Sequence, residues 1–101
     1  MSDESKKYVV MIGGLDNIRA YFTEGTEDEI KQCLYEFVME DKDEDPDRWE
    51  YGTGSKAEVI KDEDGSFYAG GVYSTYSLDY VARAVDSIKT VKAVTSIQAV
   101  S

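Results

Sequence analysis

From Thr26 onward the chain is committed to a helix that must lie on something apolar. Thr26 is a favourable N-cap, and Glu29, three residues on, completes a capping box. Glu27, Asp28 and Glu29 place three acids at the positive end of the helix dipole. Ile30, Cys33, Leu34, Phe37 and Val38 then recur at the spacing that gathers them on one face. A stripe of this width needs a second layer to cover it. The periodicity carries the helix to about Glu40. Beyond it the acids repel one another, and Pro46 disfavours the α conformation in the residue before it. Residues 41–55 are therefore predicted to be an acidic loop.

The covering layer is predicted to be a sheet. Lys7 to Ile12 is β-branched and apolar with little alternation, which suggests a central strand. After a turn at Gly13–Asn17, residues 18–23 alternate Ile18, Ala20 and Phe22 with Arg19, Tyr21 and Thr23, the period of a half-buried strand. Lys56 to Lys61 and Phe67 to Ser74 read as two more strands around a hairpin turn at Asp62–Ser66. Ser77 reads as the cap of a second helix with Val81, Ala84, Val85 and Ile88 on its apolar face, and Thr90 to Val100 as a last strand. Thr26, Asp28, Ile30, Leu34 and Phe37 match Ser77, Asp79, Val81, Val85 and Ile88 at a constant offset of 51. The expected fold class is α+β: one domain, with an antiparallel sheet of about five strands and two helices on one face. It would be built from tandem ββα(β) units, 7–40 and 56–100, behind a disordered tail at 1–6.

A chain of 101 residues is a single domain large enough to bury about two thirds of its unfolded surface. No apolar run approaches the ~20 residues of a membrane span, and the first residues lack the apolar core of a signal peptide. The expected compartment is the cytoplasm. Net charge is −10, and it is lopsided: residues 1–65 hold 19 acids and 8 bases, whereas 66–101 hold two acids and three bases. Such a field argues against nucleic acid or an anionic membrane as a direct ligand. It suits a basic protein partner, or simply solubility.

Several chemistries lack their parts. There is no histidine, so the usual general base and the commonest transition-metal ligand are missing. The single cysteine, Cys33, cannot form an internal disulfide and reads as a structural thiol. Gly13-Gly14 follows a strand but belongs to no phosphate-loop pattern. Asp41, Asp43 and Asp45 have the 1-3-5 spacing of a calcium loop, but Pro46 and Gly52 stand where that loop requires Gly and Glu. No cofactor, no metal site and no enzymatic activity are expected.

Recognition remains. Glu40, Asp41, Asp43, Glu44, Asp45, Asp47 and Glu50 surround Trp49 and Tyr51, an arrangement that reads as an aromatic anchor among steering charges. Trp49 could equally pin the loop to the body. A secondary interface is suggested by Tyr68, Tyr73, Tyr76 and Tyr80, since tyrosine is enriched at interfaces. The resulting expectation is a non-enzymatic acidic module that binds a basic protein surface. In its sharper form it imitates nucleic-acid charge and inhibits a nucleic-acid-binding protein, as small acidic inhibitors of phages and mobile elements do. The alternative is a structural or self-associating domain, such as a homodimer, that uses the tyrosine-rich strand as its interface.

Overall fold

The computed structural model describes residues 4–14 and 17–87. Their order is β1 (Lys6–Gly13), β2 (Ile18–Gly25), α1 (Glu27–Glu44), β3 (Trp49–Gly52), β4 (Ile60–Lys61), β5 (Phe67–Tyr73) and β6 (Ser77–Ala84), with 3-10 turns at Lys56–Glu58 and Val85–Ser87. The strands form one antiparallel sheet in the order β2-β1-β6-β5-β3. β4 pairs with the start of β5, through Ile60 opposite Tyr68 and Lys61 opposite Phe67. Between β3 and β4, Thr53 bonds Gly70 through both its N–H (2.9 Å) and its hydroxyl (3.1 Å), so β5 is occupied along that side as well. α1 lies across one face of the sheet.

The α+β class is as expected, but two expectations are corrected. The described residues contain six strands and one helix, rather than five strands and two helices. Ser77–Ala84, expected to open a helix, is strand β6, and the tandem ββα repeat falls with it. The segment satisfies two periods at once. Val81, Ala84 and Val85 have helical spacing, but Leu78, Tyr80, Ala82 and Ala84 alternate with Ser77, Asp79, Val81 and Arg83. The alternation prevails because Tyr80 and Ala82 then sit opposite Ile12 and Val10 of β1 and complete the core. The expected strand at 90–100 lies outside the described residues.

The region after Glu40 also differs. α1 continues to Glu44, and the acidic stretch 41–55 contains the last helical turn, a short turn through Pro46 and strand β3. Two things offset the repulsion: Asp41 turns inward to cationic Arg19, and the Asp45 N–H closes the helix on the carbonyls of Asp41 and Lys42. The expected strand 56–61 is a 3-10 turn followed by the two residues of β4. The Asp62–Ser66 hairpin turn forms as expected, with Gly65 at φ +88, where a side chain would be strained.

The core is a single layer between α1 and the sheet. Ile30, Leu34 and Val38 of the helix meet Tyr8, Val10 and Ile12 of β1 and Phe67, Tyr80 and Ala82 of β5 and β6. No described helix is long and apolar enough to cross a membrane.

Candidate protein-binding surface

α1 has an inner side that builds the core and an outer side made of carboxylates. At its start the capping box is complete: the Glu29 N–H donates to Thr26 Oγ1 (3.3 Å) and the Thr26 N–H donates to Glu29 Oε1 (2.8 Å). Acids of this first turn are also neutralised from the side, Asp28 by Lys56 at 2.8 Å and Glu27 by Lys61 at 2.9 Å. Further along, the pairing stops for the outward acids. Glu36, Glu40, Asp43 and Glu44 are exposed, and Asp47 and Glu50 continue the exposed acids beyond the helix. Among the described residues none of these six forms an ion pair; Glu36 accepts one bond from Gln32 Nε2, at 2.9 Å.

Asp41 belongs to the interior. It is 7% exposed, and its Oδ2 accepts from Arg19 Nη2 at 2.5 Å and from the Tyr80 hydroxyl at 2.6 Å. Arg19 reaches it because β2 pairs with β1 in the register that sets Arg19 opposite Ile12, on the helix side. Its hydrogen bond to Asp41 holds the guanidinium even more firmly protonated than usual. Burial, reinforced by the hydrogen bond to Asp41, pushes the Tyr80 phenol far above its ordinary value. Asp45 makes a second, shallower cluster with the Tyr76 hydroxyl (2.7 Å) and Arg48 (3.4 Å). Between the clusters, Tyr73 is buried, stacks on Tyr76 at 4.5 Å and has a hydroxyl with no hydrogen-bond partner among the described residues. Burial first, then the nearby charge of Asp41, raises its pKa to about 12. A cleft of about 400 Å³ opens here, lined by Arg19, Asp41, Glu44, Asp45 and Tyr76.

The structure divides the residues singled out in the sequence. Glu40, Asp43, Glu44, Asp47 and Glu50 lie outside, Asp41 inside, and Asp45 between. Trp49 is half-buried rather than presented. It packs edge-on to Tyr73 at 5.3 Å, lies beneath the Lys42 ammonium, and covers Gly71, where an added Cβ would come within 2.8 Å of its ring. These contacts hold β3 against β5 and the end of α1. Tyr51 sits opposite Val72, on the face of the sheet away from the helix, and is 65% exposed. The four tyrosines also part company: Tyr73 and Tyr80 are buried, Tyr76 is half-buried at the cleft, and Tyr68 faces the opposite side. β5 is not a sheet edge, because β6 flanks it on one side and β3 and β4 on the other.

Sequence reasoning missed Arg19, the partner of the inward acid. Its only signal was its place in the alternation of β2, opposite to Ile18 and Ala20. Cys33 is half-buried on the flank of α1, where burial and then Glu36 push the thiol up and away from reactivity. Among the described residues no three acids or thiols converge as a metal site would require. No family model, curated protein or solved structure matches the chain.

Proposed function

We propose that this chain is a non-enzymatic binding protein that offers the outer side of α1 and the turn after it to a basic surface on another protein. The observation that carries the reading is the unpaired row Glu36, Glu40, Asp43 and Glu44. These acids occupy eight residue steps, about 12 Å of helix axis. That is roughly one charge per 3–4 Å, close to the ~3.4 Å per charge along one strand of duplex DNA. The sharper form of the proposal follows from this density: the partner is a nucleic-acid-binding protein, and occupying its basic groove inhibits it. The cleft beside Glu44 and Asp45 would receive one lysine or arginine side chain, at the negative end of the helix dipole.

The test is capture from lysate on the immobilised protein in low and in high salt, beside the variant E36Q/E40Q/D43N/E44Q. The wild type is expected to retain basic proteins that high salt or added duplex DNA releases, and the variant to retain none of them at a melting temperature no lower than that of wild type. Equal capture by both proteins overturns the proposal. Release by salt but not by DNA removes only its nucleic-acid form.

A further inference from the structure

The sheet has a second face, turned away from α1, and no described element covers it. The alternation of β2 is the first sign that this face is meant to be covered. Ile18, Ala20 and Phe22 are the apolar set of that strand. The register with β1, in which Val9 pairs with Phe22 and Met11 with Ala20, puts them on the uncovered side. Ile18 is left 78% exposed and Phe22 83%. Tyr51 and Ile60, at 65% and 64%, lie on the same face at the other end of the sheet, opposite Val72 and Tyr68. Between these extremes Val9, Met11 and Val81 form an apolar middle, with Met11 directly opposite Val81. Four of the six large hydrophobic residues most exposed among those described thus share one surface.

We propose that this surface is the seat of a second copy of the chain, the two sheets packing face to face with their acidic helices outward. For a chain of net charge −10, charge favours this face over the helix as the place for a second copy. The paired strands of this face carry Lys7 and Arg83 against Glu24 and Asp79, and Arg83 also meets Asp64 at 3.9 Å, so the strands hold no excess of either sign to repel the same patch on a second copy. Helix-to-helix association would instead bring two rows of unpaired acids together. Sheet-to-sheet packing separates the rows by two molecular layers, each about 20 Å in the thinnest dimension. That exceeds the ~8 Å screening length of physiological salt several-fold. Area is also sufficient. Five strands about 4.8 Å apart and about seven residues long present roughly 600 Å², so a pair buries roughly 1,200 Å², within the range of specific interfaces. Packed sheets of this kind lie about 10 Å apart and within about 30° of alignment. The dimer would display two acidic helices on opposite sides, which converts the binding surface proposed above into a bivalent one.

Sedimentation velocity of the full chain from low-micromolar to several hundred micromolar concentration tests this, alongside Phe22→Glu and Glu40→Gln. The weight-average mass of wild type should climb from 11.3 kDa toward twice that value. Phe22→Glu should weaken association at least tenfold while its circular dichroism and dilute-solution melting temperature stay unchanged, because that side chain is already in water. Glu40→Gln should associate as well as the wild type. A monomer at every concentration overturns the proposal, as does a Phe22→Glu protein that dimerises like wild type. Association that changes in Glu40→Gln alone, in either direction, would move the contact to the helix and overturn the proposal. Since that contact does not use the acidic row, capture of basic proteins can succeed while dimerisation fails, and the reverse.

Discussion

The two faces of the sheet are built from the same strands and have opposite fates. On β1, Val10 is fully buried beneath α1, while its neighbour Val9 on the other face is only half-buried. On β2 the contrast reverses polarity: the polar set Arg19 and Thr23 points toward the helix with Tyr21, and the apolar set points away from it. A one-layer α+β fold would put the apolar alternation of every strand under the helix. Here the helix side holds a polar network around Asp41, and the other side keeps hydrophobic residues that no described element covers. The difference teaches that the sheet gives fold stability on one face and leaves large apolar side chains exposed on the other.

The largest expected effect sharpens that contrast. Leu34→Ala, in the middle of the covered layer, should cost about 2–5 kcal/mol, a large fraction of the stability of a domain this size. Phe22→Ser on the open face should cost less than about 0.5 kcal/mol when measured by denaturant in dilute solution. Equal losses would mean that Phe22 is core and that the faces are not distinct. Phe37, half-buried and stacked on Tyr21 at 5.0 Å, should fall between the two.

Alkaline pH attacks the covered side next. Tyr73 and Tyr80 have pKa values raised by folding, so the unfolded chain loses their protons first, from about pH 10 upward. Their contribution is intact below pH 10 and declines as pH rises toward about 12, the value for Tyr73. Melting temperature should therefore drop steeply above pH 10, and tyrosinate absorbance should show a late, cooperative phase that coincides with unfolding. Smooth ionisation of all eight tyrosines near pH 10 without loss of structure would place these phenols in solvent.

A smaller effect separates two acids of one run. Asp41→Asn should destabilise by about 1–3 kcal/mol, because it weakens charge-assisted bonds to Arg19 and Tyr80 in a buried site. Asp43→Asn, two residues on and exposed, should stay within about 0.5 kcal/mol of wild type or gain slightly from reduced repulsion. Identical effects on urea midpoints would erase the distinction between inward and outward acids. Smallest of all, moderate salt should raise the melting temperature by screening the outer row. Magnesium and calcium should act alike at matched ionic strength; strong stabilisation by micromolar calcium alone would reveal a real cation site.

These contrasts also show what the sequence could and could not reveal. The capped helix, the β1–β2 hairpin and the turn at Gly65 were legible because each has a local cause: a cap, a period or an Asp-Gly turn. Strand β6 was not, because Ser77 to Ala84 fits both periods and only its pairing with β1 decides. Within the site, Glu40, Asp43 and Glu44 were legible as surface charge. The inward turn of Asp41 was hidden, since it depends on Arg19, 22 residues earlier, arriving through the strand register. Trp49 read equally as anchor or fastener, and the glycines at 52 and 71 that make room for its ring become informative only once β3 and β5 are paired.

The central claim is that the outer acids of α1, and not the open sheet, meet a basic partner. Backbone amide chemical-shift mapping during titration with a decalysine peptide in low salt tests it most directly. The account predicts shifts concentrated at Glu36, Glu40, Asp43, Glu44 and Asp47, abolished by a few hundred millimolar salt, with Phe22, Tyr51 and Ile60 unmoved. Shifts centred on the open face, or spread evenly over every exposed carboxylate of the chain, would contradict it.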